Sequence, residues 1–178
     1  WIRRMKNTIK WFAPRFNTSR MVAEYTRKFY NPSALKWDEL TENTMERVKA
    51  LSLWKSATRN AWGDLQFVDV QVQTSREEPF ASWNGHKPEL MVGGELKVLS
   101  QVRLGRLKPP EISLHIYHGQ WDSSGRIEGG HITDMQYVEN ALNPDGVATF
   151  AGELPCRVSG QQGFSLRIVP NHPDLAEP

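Results

Sequence analysis

Cysteine is nearly missing: Cys156 is the only one in 178 residues. That excludes a disulfide framework and a thiolate metal cluster, and a lone reduced thiol suits a cytoplasmic protein. Long apolar runs are missing too; nothing approaches the roughly 20 residues a membrane-spanning helix needs. The N-terminus lacks the charged stretch, apolar run and small-residue cleavage site of a secretory leader. Internal repeats and low-complexity tracts are also lacking. No initiator methionine and no helix cap open the chain. Trp1 leads at once into Ile2, Met5, Ile9 and Phe12 at spacings of three and four. Such a start is expected of a chain cut from the middle of a longer one.

What is present is unevenly spread. Residues 1–62 carry 13 Lys and Arg against 5 Asp and Glu, and residues 63–178 carry 9 against 15. The basic residues lie on helices whose apolar faces also need covering, so a solvated face or an interdomain contact is expected, with no nucleic-acid or membrane partner. Seven tryptophans supply large surfaces for a fold to bury.

Periodicity divides the chain at residue 62. The first part reads as about three helices. Pro14 closes the first, and Asn17, Thr18 and Ser19 offer caps to a second that carries Met21, Val22, Tyr25 and Phe29. Tyr30-Asn31-Pro32 is expected to stop it. A third starts near Asp38 or Thr41, turns Met45, Val48, Leu51, Trp54 and Ala57 inward and ends at Gly63. Residues 63–178 then change to period two: Val68, Val70 and Val72 alternate with polar residues, and residues 75–94 read as a loop with Asn84-Gly85 and Pro88. Further strands are expected over 96–104, 112–116, 131–138, 147–154 and 164–168. The fold class is therefore α+β, a helical segment followed by an antiparallel β-sandwich-like domain.

No catalytic, cofactor-binding or metal-ligating residue is expected in this chain. His115 and His118 point to opposite faces of a strand, and His131 joins them only if two strands pair. Glu128, Asp134, Glu139 and Asp145 single out no carboxylate pair. Ser159-Gly160 lacks the context of a nucleophile elbow, Gly93-Gly94 and Gly129-Gly130 lack that of a phosphate loop, and Cys156 has no base nearby in sequence. Trp83 and Trp121 fall in expected loops of the β-module. They are candidate carbohydrate contacts, stacking on sugar rings, or else plugs for the end of the sandwich.

Two ends of the chain carry a resemblance. Trp1-Ile2-Arg3-Arg4-Met5-Lys6, then Ala13-Pro14-Arg15-Phe16-Asn17-Thr18-Ser19-Arg20-Met21-Val22 and Glu24-Tyr25, resemble the closing helices of the bacterial α-glucan (glycogen/maltodextrin) phosphorylase family. The stretch from Ser159-Gly160-Gln161-Gln162-Gly163 to Pro173-Asp174-Leu175 is similar to the C-terminus of its shorter branch. So are Leu107-Lys108-Pro109-Pro110-Glu111-Ile112 and Tyr117-His118-Gly119, while residues 31–90 contribute little. The resemblance implies a parent enzyme that uses pyridoxal 5'-phosphate and inorganic phosphate to split terminal α-1,4 bonds, releasing glucose 1-phosphate. The family's Gly-Thr-Gly-Asn-Met-Lys motif and phosphate clamps have no counterpart here, so no catalytic residue carries over. What it implies for this chain is a non-catalytic part that scaffolds the catalytic lobes. Ile2, Met5, Ile9, Phe12, Met21, Tyr25 and Phe29 would pack against the rest of the polypeptide. Oligomerisation is left open. The rival expectation is a carbohydrate-binding or protein-interaction module of another carbohydrate-active enzyme, including an unrelated glycosyltransferase.

Overall fold

The computed structural model describes residues 1–74, 78–83, 90–139 and 143–175, so Asn84-Gly85 and Pro88 lie outside it. The chain divides into two compact units, Trp1–Trp54 and Lys55–Pro178. In the first, helix α1 spans Ile2–Phe12 and α2 spans Thr18–Tyr25. Asn17 caps α2: its side chain accepts from the Arg20 N–H at 2.8 Å and donates to the Ala13 and Pro14 carbonyls, closing the turn between the helices.

The expected stop at Pro32 does not occur. A π-helical turn, Thr26–Tyr30, carries α2 directly into α3, Asn31–Ala61. The helical region thus has two stretches where about three were expected. The reason is local: proline clashes with the carbonyl four residues back and lacks an N–H. A widened turn, in which the Asn31 N–H reaches the Thr26 carbonyl, accommodates both. The long stretch does break, but at Glu42–Met45. There Glu42 is extended and Asn43, Thr44 and Met45 have positive φ, a conformation that costs L-residues roughly 1–2 kcal/mol each.

A single 3-10 turn at Trp62–Asp64 passes from helix to strand. Among the described residues seven strands follow: β1 Gln66–Gln73, β2 Ala81–Ser82, β3 Glu95–Arg103, β4 Ile112–Trp121, β5 Ile127–Tyr137, β6 Val147–Pro155 and β7 Gln162–Pro170. All pairings are antiparallel, in the order β2-β1-β3-β6-β5-β4-β7. The strands therefore form one curled sheet instead of the two separate sheets of a sandwich. Strand β5 makes the join, pairing with β4 along most of its length but with β6 only at Gln136↔Ala151 and Tyr137↔Phe150.

The core lies inside the curl. Strand β3 alternates buried Leu96, Val98, Ser100 and Val102 with half-buried neighbours. Leu114 and Ile116 of β4, Met135 of β5 and Phe150 of β6 meet them, and Tyr137 tilts against Phe150 at 5.7 Å. Two expectations change here. Val68 belongs to the expected alternation with Val70 and Val72, but a register shift between Phe67 and Asp69 sets it apart from them and it is exposed. The expected loop over 75–94 contains the short strand β2, paired with β1 through Gln71 and Val72.

Candidate functional site

Strands β3 and β7 begin, and β4 and β6 end, at one margin of the curled sheet. A groove of about 820 Å³ opens there. Leu96, Leu154, Pro155 and Phe164 form its apolar wall, and Gln161, Gln162, His118 and Cys156 supply polar groups. Trp83 and Trp121, singled out from sequence for different loops, both line it.

Each indole is held by its own local structure. The Trp83 N–H donates to the Val70 carbonyl at 2.6 Å, which ties residue 83 to β1, and its ring tilts against Phe164 at 5.2 Å. Trp121 ends β4, and its N–H donates to the Gln161 carbonyl at 3.1 Å. Its indole lies over Gly163, where any Cβ would overlap the ring, and faces Gly125 in the following turn, where a Cβ would just meet it. The glycine is needed there for close approach. Asp122 fixes that turn: its carboxylate accepts from the Arg126 and Ser124 N–H groups at 2.9 and 2.8 Å and from the Ser124 hydroxyl. These bonds, the Arg126 N–H foremost, hold its pKa below the ordinary aspartate value. Both indoles keep an open face, with Trp83 37% and Trp121 49% exposed.

His118 faces the curl beside Phe164, its directly opposed neighbour on β7. Its Nε2 lies 3.1 Å from the Thr133 hydroxyl. Burial first, then the nearby His131 and Arg157, push its pKa below the usual imidazole value, favouring the neutral ring. The strand pairing the sequence left open does bring His131 opposite His118, with ring centroids 6.2 Å apart. His115 is elsewhere: its Nδ1 accepts from Arg167 Nε at 3.2 Å, and its Nε2 lies 3.3 Å from Asp134. Arginine only donates, so the Nε2 carries the proton in this arrangement. Among the described residues no three potential metal ligands converge. The groove also does not suit pyridoxal phosphate, because none of its described lining residues is a lysine for the aldehyde or an arginine for the phosphate.

In the first unit the apolar stripe is uncovered. Ile2, Met5, Ile9 and Phe12 of α1, and Met21, Tyr25 and Phe29 further on, are all exposed, Ile9 by 64%. Their only described ring contacts are local, Phe12 with Phe16 at 5.9 Å and Tyr25 with Phe29 at 5.4 Å and Tyr30 at 6.3 Å. Among the described residues no helix is long and apolar enough to cross a membrane.

Sequence inspection missed His118, Gln162 and Phe164 as partners of the two tryptophans. His118 was weighed as a metal ligand and named in the resemblance, and Phe164 was placed in an expected strand. The available signal was Gly163 beside Phe164, a glycine at the start of a strand that marks a close approach.

Residues 62–178 match the family model described as the glycogen phosphorylase C-terminal domain. The chain is 24% identical over 176 residues to glycogen phosphorylase of Mycobacterium bovis and 21% identical over 180 residues to that of Mycobacterium tuberculosis. It is 25% identical over 181 residues to maltodextrin phosphorylase of Thermococcus litoralis. These alignments cover 98–99% of this chain but 19% of each relative, so the chain spans about a fifth of their length. No solved structure matches.

Proposed function

Since the chain belongs to the family of glycogen phosphorylase C-terminal domains, we propose that it is the non-catalytic closing part of an α-glucan phosphorylase. The parent enzyme would cleave terminal α-1,4 bonds of a glucan with inorganic phosphate to give glucose 1-phosphate. Its pyridoxal phosphate would be held by residues outside this chain. A cytoplasmic setting, where thiols stay reduced, suits the lone Cys156.

The physical role is scaffolding, and one observation carries it. Helix α1 presents Ile2, Met5, Ile9 and Phe12 on one side and buries none of them. A helix this short is marginal in water by itself and takes its stability from packing an apolar face. The relatives are about five times longer than this chain, so the fitting occupant is the remainder of the same polypeptide. Met21, Tyr25 and Phe29 extend the contact, and the flanking Arg3, Arg4, Lys6 and Lys10 give it a basic rim. Such an interface would fix the catalytic lobes relative to each other, because positional errors of about 1 Å at a phosphate clamp cost large rate factors.

The test is Ile9→Asp in the full-length polypeptide. A buried, unpaired carboxylate in a packed interface should lower its thermal midpoint and its rate of glucose 1-phosphate release together. An unchanged midpoint and rate would remove the scaffold role.

A further inference from the structure

We propose that the groove between Trp83 and Trp121 is a non-catalytic binding site for a neutral oligosaccharide, an α-glucan chain whose sugar rings stack on the two indoles. The choice of an α-glucan rests on the phosphorylase function proposed above; the choice of a neutral sugar rests on the groove itself.

Three features of the groove select that chemistry. Its volume, about 820 Å³, falls within the roughly 300–1,000 Å³ of sites that take small ligands. Its described lining contains no Asp, Glu, Lys or Arg, although nearly a quarter of the chain is charged. A phosphorylated or nucleic-acid ligand would call for basic side chains, and none is among the described lining residues. The polar groups present are the Gln161 and Gln162 amides and His118, whose neutral ring is favoured by burial. Amides and neutral imidazole both donate and accept, which matches hydroxyl groups that do the same.

The aromatic surfaces supply the other half of recognition. Pyranose rings have apolar C–H faces, and an indole offers a rigid flat surface for them at low entropic cost. Trp83 stands against Phe164, and Trp121 lies across Gly163, the preceding residue of β7. The two platforms are thus anchored to consecutive positions of one strand while each keeps an exposed face. A plug for the end of a core would instead be covered.

Cys156 lines the same groove and is partly accessible, which gives a local probe independent of any catalytic centre. In the full-length polypeptide, iodoacetamide alkylation of Cys156 is followed by peptide mass spectrometry with and without maltoheptaose. Hydrogen exchange of peptides spanning residues 160–164 reads the same event without the thiol. With maltoheptaose at about ten times its Kd, alkylation should slow about tenfold and exchange should fall. Trp83→Ala and Trp121→Ala should each abolish both effects. Protection that survives both substitutions, or unchanged alkylation and exchange at millimolar maltoheptaose, overturns the proposal. Glucose 1-phosphate release from the same preparation is scored separately, so a turnover-competent enzyme with an unprotected Cys156 retains the phosphorylase reading and loses only this site.

Discussion

Gly163 and Trp121 form the tightest fit in the groove. A Cβ at position 163 would overlap the indole, so Gly163→Ala must either push Trp121 away or shift β7. The substitution should alter the near-ultraviolet circular dichroism of the tryptophans and lower the thermal midpoint, whereas Gly160→Ala, with open space around it but φ +110, should lower stability without moving Trp121. An unaltered tryptophan signal in Gly163→Ala would contradict the packing described. His118 gives a second residue-scale expectation. Its pKa in the fold is depressed from 6.5, so the unfolded chain binds the proton more readily. The contribution to stability is present above about pH 6.5 and is lost as pH falls through the unfolded value toward the folded one. Denaturation midpoints measured between pH 7.5 and 5.5 should fall, and His118→Asn should flatten that slope. An equal slope in both proteins would assign the effect to other groups.

At the scale of elements, the alternation of β3, β4 and β6 defines an inside and an outside that mutation can read. Phe150→Ala, at 2% exposure, should cost about 3–5 kcal/mol in denaturant unfolding. Ile132→Ala on β5, at 52% exposure, should stay within about 0.5 kcal/mol. Similar losses at both positions would reverse the face assignment. Strands such as β3 and β7 were legible because period-two alternation of apolar residues is a local property bounded by turn residues. The single sheet was not, because whether β5 joins β6 depends on two residue pairs near its end, Gln136↔Ala151 and Tyr137↔Phe150, which no local pattern announces. Helix continuity past Pro32 was misjudged for a related reason: proline forbids an α-turn, but a π-turn removes the conflict, and propensity does not foresee it. At the groove, Trp83 and Trp121 stood out by residue type and loop position. Their convergence depends on the pairing of β4 with β7, a long-range fact, and so His118 and Phe164 were not seen as their neighbours.

For the whole molecule, the contrast lies between a β-unit with its own buried core and helices α1 and α2 with the π-turn that follows, whose apolar side chains are exposed among the described residues. Seven of those side chains, from Ile2 to Phe29, are the ones that spacing and family resemblance lead one to expect against the rest of the polypeptide. Their exposure is what the proposed scaffold role requires, and the matched relatives are about five times longer than this chain. The most direct measurement is glucose 1-phosphate release from maltodextrin and inorganic phosphate, compared between the full-length polypeptide and the 178-residue chain. Turnover by the full-length protein and none by the chain is expected. Turnover by the chain alone, or none by the full-length protein supplied with pyridoxal phosphate, would contradict the assignment.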